Sequence, residues 1–264
     1  MTWVAWRQHR NELIILLSIV AGLAVYLLPI GLDKHDQFTD SGLKACLQAG
    51  QDCPDLRFRF LDSYNSVSNI VGWFNFVPGI AGLLLAAPIV AEFEQRTYRL
   101  AWTQGVTRGR WLAARLGVAL AGVAVFSVVL TLLVTWSYAP YNQSQLFVKD
   151  LGESYDFEGL MPFSYTFFAF ALALAAGVVS RRAVAAIVAG LAGFVVARLL
   201  VMELLREGIS SDVDVDIGPG QSLAEYARDM GLFWETQAQE AVMFVGAALL
   251  MLALTVWVVQ RRMA

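Results

Sequence analysis

Six long runs of apolar residues divide the chain, and polar residues gather in the segments between them. Each run has about the 20 residues that an α-helix needs to cross the hydrocarbon core of a bilayer. Polar residues do not recur along the runs at the helical period, as they would on the solvent-facing side of a helix in a soluble protein. The pattern therefore predicts an all-α polytopic membrane protein, a single domain over residues 1–264 with spans at about 13–32, 70–91, 112–139, 162–180, 183–202 and 241–259.

The composition supports this interpretation. Apolar residues make up 58% of the chain and charged residues 16%, whereas soluble domains have about 45–50% and about 25%. Arginine occurs sixteen times and lysine three times, beside many Ala, Gly and Val residues. This usage is typical of a bacterium with a GC-rich genome.

Basic residues are distributed unevenly between the two sides of the predicted membrane domain. Six spans place both termini on one side, and that side carries eleven arginines against only three acids, Glu12, Glu92 and Glu94. The opposite side has seven basic residues and nineteen acids. Cytoplasmic loops carry an excess of Lys and Arg. We therefore expect a multi-pass protein of the bacterial plasma membrane with both termini in the cytoplasm.

The segment AEFEQRTYRLAWTQGVTRGRW, residues 91–111, is the only sizeable loop on the arginine-rich side. Residues 92–104 have good helix formers and no Pro or Gly, whereas Gly105 interrupts the pattern and Thr107 can cap the helix of the third span. The loop is therefore expected to form a short helix and a turn before the chain re-enters the membrane.

Two hypotheses for this loop remain open from its residues. Its aromatic rings suit the headgroup layer and its arginines suit anionic lipid, which is typical of an interfacial anchor. The carboxylates of Glu92 and Glu94 fit that role less well, because anionic lipid repels them. A docking element that binds a protein partner accounts for both kinds of charge.

The pattern E-x-E-x-x-T-x-x-L followed by T-R-x-x-W, directly after the second of six spans, resembles the permease subunits of ABC-2 type transporters. The residues that carry it are Glu92, Glu94, Thr97, Leu100, Thr107, Arg108 and Trp111. The start, TWVAWRQHRNEL, also looks like that family's N-terminal interfacial helix, which implies such a helix over residues 2–12. In topology the resemblance covers nearly the whole chain.

In that family the loop after the second span is a coupling helix that sits in a groove of the ATPase subunit. The resemblance implies a separate ATP-binding-cassette ATPase that holds ATP and Mg, and a homo- or heterodimer of permeases. The implied docking residues are Glu92, Glu94, Arg96, Thr97, Tyr98, Leu100 and Thr107, with the carboxylates on basic partner residues and Tyr98 and Leu100 in the groove. The chain has no G-x-x-x-x-G-K-[ST] phosphate loop, which agrees with an ATPase on another polypeptide.

Two segments are predicted to lie on the external side. Cys46 and Cys53 fall in a loop over residues 33–68, where an oxidising compartment favours a disulfide; two free thiols are the alternative. Residues 203–240 are strongly acidic, and their D-V-D-V-D run lacks the spacing of a calcium-binding loop. Residues 222–233 can form a short external helix, and in the resembled family helices at this place cap the pathway.

Small residues recur at a spacing of four in two of the predicted spans, which lets helix backbones approach closely. In the fourth span the stripe Ala169, Ala173 and Gly177 favours packing inside the subunit. In the fifth span the stripe Ala189, Gly193 and Ala197 has a dimer seam as an alternative, because the resembled permeases are dimers.

Two polar side chains within the predicted spans, those of Arg198 and Asn75, need a partner there. Arg198 is the only charge deep in a span, and we expect it to extend toward Glu203 or Glu207 at the outer surface, with substrate binding as the alternative. An amide in the membrane must find a hydrogen-bond partner. Asn75 therefore either bonds a neighbouring helix or lines a pathway with Trp73 and Phe76.

Taken with the resemblance, these features predict a permease subunit that exports a small molecule, a peptide or a lipid. A non-transporting accessory or sensor protein is an alternative. An intramembrane enzyme is disfavoured because His9 and His35 fall on opposite sides, and two cysteines and two histidines are too few for the usual Cys/His metal site. We therefore expect no catalytic, cofactor-binding or metal-binding residue in this chain.

Overall fold

A computed structural model describes residues 2–51, 53–63, 72–103, 105–144, 155–203 and 223–262; for 2–9, 72–73, 100–101, 223–232 and 262 it describes the backbone alone. Within the described residues the chain is helical and contains no strand. Six of these helices are long and apolar enough to cross a membrane. The predicted all-α fold with six spans is confirmed.

The six long helices are named here spans 1 to 6 in chain order. Their bounds are Thr2–Asp40, Val77–Gln95, Arg108–Ser144, Met161–Ser180, Ala183–Val201 and Leu223–Arg262. Shorter helices occupy Leu43–Gln48, Pro54–Asp62 and Tyr98–Thr103, and single 3-10 turns occupy Gly72–Phe76 and Tyr155–Phe157.

Three spans run further than their apolar runs. The helix predicted over residues 2–12 is not a separate element, because span 1 continues without a break from Thr2 to Asp40. Likewise the helix predicted over 222–233 joins the last span, which begins at Leu223. Span 3 continues to Ser144. A helix does not stop where the side chains become polar, since each further turn satisfies backbone hydrogen bonds until a breaker or a loop residue intervenes.

Span 4 lies at the centre of the bundle and is the most deeply buried of the six. It packs most extensively on spans 2, 6 and 5, while span 1 packs mainly on span 3. Close approach depends on glycine: a Cβ atom at Gly82 would lie 2.4 Å from the carbonyl oxygen of Thr166 and 2.7 Å from the amide nitrogen of Phe170. Spans 2 and 4 can therefore touch only because position 82 has no side chain.

The contacts of span 4 explain its stripe of small residues. A Cβ atom at Gly82 would lie 2.9 Å from the Cβ of Ala169, and one at Gly177 would lie 2.6 Å from a methyl group of Val90. A Cβ atom at Gly190 of span 5 would lie 3.2 Å from Ala173. All three members of the stripe thus face neighbouring spans of the same chain, as the internal-packing hypothesis predicts.

The same contacts give the bundle two distinguishable ends. Spans 2 and 4 run in the same direction, since Gly82 lies beside Ala169 and Val90 beside Gly177. At one end, which we name the basic end, lie the loop between spans 2 and 3, the turn between spans 4 and 5, and the last turn of span 6. The opposite end, named the disulfide end, carries the helices around Cys46 and Cys53.

Candidate partner-docking site

The loop between spans 2 and 3 begins with a change of helix direction at one residue. Span 2 ends at Gln95, and its C-cap Arg96 has φ 57° and ψ 19°, in the left-handed region. The helix Tyr98–Thr103, which we name the loop helix, then follows. The single helix expected over residues 92–104 is thus divided at Arg96 into the end of span 2 and the loop helix.

The loop closes as its sequence predicts. Gly105 has φ 80°, a conformation that glycine adopts without steric cost. The hydroxyl of Thr107 then accepts a hydrogen bond from the backbone N–H of Arg110 at 3.4 Å, at the start of span 3. Thr107 itself remains exposed.

Four aromatic rings hold the loop helix against the bundle. The rings of Tyr98 and Trp102 are 4.6 Å apart, and those of Phe93 and Trp111 are 5.7 Å apart. Phe93 also meets Tyr98 edge-on at 5.9 Å, and only 3% of Tyr98 is exposed. The rings therefore pack on one another, and Tyr98 faces the bundle, which differs from the expectation that it fills a groove of a partner.

Glu92 also lies inside the protein. Its carboxylate forms an ion pair of 2.5 Å with the guanidinium of Arg115, and 8% of Glu92 and 7% of Arg115 are exposed. Removing one partner of such a pair leaves the other charge buried, which is strongly destabilising. The structure thus places Glu92 in a contact between spans 2 and 3, where the sequence suggested a contact with basic residues of a partner.

Two hydrogen bonds connect the loop to distant parts of the chain. The carboxylate of Glu94 accepts a bond of 2.9 Å from the backbone N–H of Ala183, the first residue of span 5. Arg108 donates a bond of 3.1 Å to the backbone carbonyl of Gln260 near the end of span 6, and its guanidinium lies 5.0 Å over the ring of Trp102. Each bond satisfies a backbone group that a helix end leaves without an intrahelical partner.

The outer surface of the loop is polar. Glu94, Arg96, Thr97, Arg99 and Thr107 are all exposed. The side chain of Leu100 lies outside the described residues. Of the seven predicted docking residues, four therefore remain on the surface, Glu94, Arg96, Thr97 and Thr107, and two, Glu92 and Tyr98, lie beneath it.

At the disulfide end a second group of polar residues is buried between spans. Arg198 forms an ion pair with Asp156 and donates a hydrogen bond of 2.8 Å to the backbone carbonyl of Asn75. It is 8% exposed, and its guanidinium lies 5.2 Å over the ring of Tyr165. The expectation that Arg198 extends to Glu203 or Glu207 is wrong, because it has a closer carboxylate within the bundle; Glu207 lies outside the described residues.

This buried group extends to span 6. The hydroxyl of Tyr165 lies 2.9 Å from Asp156 and 3.3 Å from Glu240. Gln237 donates to the carbonyl oxygens of Tyr155 and Glu158 and accepts from the amide of Leu160. The segment before span 4 is therefore tied by side chains to spans 5 and 6.

The predicted pathway residues lie at the edge of this group. Asn75 is half-buried and contacts span 5 through its backbone carbonyl, whereas 43% of Phe76 is exposed. The side chain of Trp73 lies outside the described residues. Asn75 thus contacts a neighbouring span through its backbone, and its role in a pathway stays a prediction.

The model of the family described as ABC-2 membrane transporter related matches residues 17–206. The chain belongs to this family. The match includes the whole loop between spans 2 and 3 and spans 2 to 5. No match was found among curated proteins or among solved structures.

Two further predicted features of this ABC-2-related chain have a place in the structure. Cys46 and Cys53 are joined by a disulfide with their Cα atoms 6.6 Å apart. In the predicted dimer stripe Ala189 is exposed, while Gly193 and Ala197 are half-buried. A Cβ atom at Gly193 would lie 2.7 Å from the side chain of Leu172, so this glycine already has a neighbour within the subunit.

Sequence reasoning missed several residues of the basic end. The sequence predicts Arg115 only as a charge that flanks span 3, whereas it is the partner of Glu92, and it gives no indication that Ala183 binds Glu94. The spacing of the sequence gives no signal for either contact, because both join segments that are far apart along the chain. For Arg181 and Arg182 the sequence indicates only their charge.

Proposed function

We propose that this ABC-2-related chain is the permease subunit of an exporter whose ATPase is a separate polypeptide. The basic end would face the cytoplasm, and the ATPase would dock on the exposed surface of the loop helix. The membership of the family supports the permease assignment, and the excess of arginine at this end supports the orientation.

The observation that carries the proposal is how the loop helix is held. Aromatic rings fix it to spans 2 and 3. On either side of it, Glu94 at the end of span 2 bonds span 5, and Arg108 at the start of span 3 bonds span 6. A helix held in this way would transmit a displacement to four spans, since few of its contacts can yield independently. This is what an element driven by an ATPase requires.

The rest of the proposed assembly follows from the family resemblance. The partner binds ATP and Mg and hydrolyses ATP, and this chain supplies the pathway for a small molecule, a peptide or a lipid. Two permeases would associate as a homo- or heterodimer, with Ala189, Gly193 and Ala197 of span 5 near the seam. The exposed Ala189 supports this placement most directly.

Site-specific photocrosslinking in native membranes tests the proposal. A photoreactive phenylalanine analogue at Arg99, exposed on the loop helix, should capture a polypeptide that contains a G-x-x-x-x-G-K-[ST] phosphate loop. The matched control carries the same analogue at Phe58, which is 73% exposed at the disulfide end, and should not capture it. The captured ATPase and the permease, reconstituted together, should hydrolyse ATP and transport in a coupled manner. Transport by the purified chain without an ATPase would contradict the proposal.

A further inference from the structure

Four exposed arginines lie around the junction of the loop helix with the turn between spans 4 and 5. They are Arg96, Arg99, Arg181 and Arg182. Within the described part of the chain, none of their guanidinium groups forms an ion pair. The nearby acids are already engaged, since Glu92 pairs with Arg115 and Glu94 binds the backbone of Ala183. The surface is therefore basic.

Two of these arginines occupy a backbone conformation that usually belongs to glycine. Arg96 has φ 57° and Arg181 has φ 54°, and among the described residues no other non-glycine residue has positive φ. Each is the C-cap of its helix, the position after spans 2 and 4 respectively, and helices commonly end in the left-handed conformation with Gly or Asn. Non-glycine residues held in this conformation cluster at functional sites.

The two caps lie close together because spans 2 and 4 are parallel neighbours that end at the same level. Val90 of span 2 lies against Gly177 of span 4. Four residues after Val90, the carboxylate of Glu94 reaches the amide of Ala183, which follows Gly177 by six residues and is the first residue of span 5. Arg96 follows Glu94 by two residues, and Arg181 precedes Ala183 by two. Two independent helices thus present the same residue in the same strained conformation at one place.

We propose that Arg96 and Arg181 form a two-pronged anchor for carboxylates of an acidic segment on the ATPase, with Arg99 and Arg182 beside them. The inference rests on the proposed function and deepens it in two ways. It adds the turn between spans 4 and 5 to the docking surface, and it gives the partner surface a negative charge. Guanidinium groups suit this role because they bind carboxylates through two parallel hydrogen bonds.

Anionic lipid is the other class of ligand for exposed arginines, and the loop helix argues against it. A helix that lies on a membrane inserts an apolar face into the headgroup boundary. Here Tyr98 is turned inward, and it packs with Trp102 against Phe93 and Trp111. The outward positions Arg96, Thr97 and Arg99 are polar. The surface fits a charged protein groove better than a bilayer.

The anchor is tested by measuring how tightly the ATPase that photocrosslinking identifies binds to the detergent-purified permease. We expect Arg96→Glu with Arg181→Glu to raise the dissociation constant at least about tenfold at about 0.1 M salt, and high salt to weaken binding of the wild type. The control Lys44→Glu with Arg59→Glu, both exposed at the disulfide end, changes net charge equally and should bind as the wild type does.

A double variant with glycine at both positions distinguishes a loss of docking from a loss of stability. Arg96→Gly with Arg181→Gly relieves the left-handed strain, so its melting temperature should equal or exceed that of the wild type, while its dissociation constant should rise about threefold or more. If the glutamate double variant and the glycine double variant both bound the ATPase as tightly as the wild type does, the anchor would be overturned, but the proposed function would not. The anchor would also be overturned if the variants bound the ATPase normally but were no longer stabilised against unfolding by phosphatidylglycerol vesicles, because the ligand of the arginines would then be lipid. Failure of the wild-type chain to bind any ATPase would overturn the proposed function as well.

Discussion

The carboxylate of Glu94, at the end of span 2, accepts a hydrogen bond of 2.9 Å from the backbone N–H of Ala183, the first residue of span 5. The first N–H groups of a helix have no intrahelical partner, and the helix dipole attracts a negative charge there. Glu94 therefore caps span 5 from another helix. Glu94 is exposed, as a docking residue would be, and it also connects the end of span 2 to the start of span 5.

This dual position predicts different results for two substitutions at Glu94. Glu94→Gln keeps an oxygen that can accept from Ala183, so coupling of ATP hydrolysis to transport should be close to that of the wild type. Glu94→Lys loses the acceptor and places a positive charge at the positive end of a helix, so coupling should fall. The measurement is ATPase activity and transport in proteoliposomes with the partner ATPase. Equal losses in both variants would show that Glu94 acts through its charge on the partner.

Arg198 should be essential to the stability of the disulfide end. Arg198→Ala leaves Asp156 buried without its cation and should cost about 3–5 kcal/mol of unfolding free energy. Arg198→Met combined with Asp156→Asn removes both charges and keeps an acceptor for Tyr165, so it should recover much of the loss. Thermal unfolding in detergent checks both, with Arg59→Ala as an exposed control. An Arg198→Ala protein as stable as the control would show that the ion pair does not hold spans 4 and 5.

Gly82 should not tolerate even one methyl group. In Gly82→Ala the new Cβ would meet the backbone of Thr166 and Phe170, which cannot rotate away. Overpacking typically costs about 1–3 kcal/mol, and we expect at least this loss here. Gly22→Ala is the matched control, because nothing lies within 4 Å of its Cβ position. Similar melting temperatures for the two variants would contradict the close packing of spans 2 and 4.

The orientation of the bundle can be measured directly on intact cells. A cysteine at Phe58 should react with a membrane-impermeant maleimide, whereas a cysteine at Thr103 should react only after the cells are permeabilised. Both positions are exposed, and Cys46 and Cys53 are bridged, so the wild type should give little background. Labelling at Thr103 in intact cells would show that the orientation is the opposite one, and an ATPase in the cytoplasm could then not dock at the basic end.

The sequence by itself determined the number of spans, their approximate positions and the loop that joins spans 2 and 3. These follow from local properties, since about 20 apolar residues suffice for a helix to cross a bilayer and a glycine such as Gly105 marks a turn wherever the chain goes. Local signals also placed the internal stripe of span 4, because small residues at a spacing of four form one face of a helix. They did not place the helix ends, where polar residues continue the hydrogen-bonding pattern.

Only the tertiary structure decided which polar residues face inward. The sequence predicts Glu92 to be a surface charge, but span 3 brings Arg115 beside it. It predicts Arg198 to reach an acid at the outer surface, but the segment before span 4 brings Asp156 to it inside the bundle. Glu94 and Ala183, which share a hydrogen bond, are 89 residues apart in the sequence. Such contacts depend on how each helix is rotated about its axis, and that rotation is set by the packing of all six spans together.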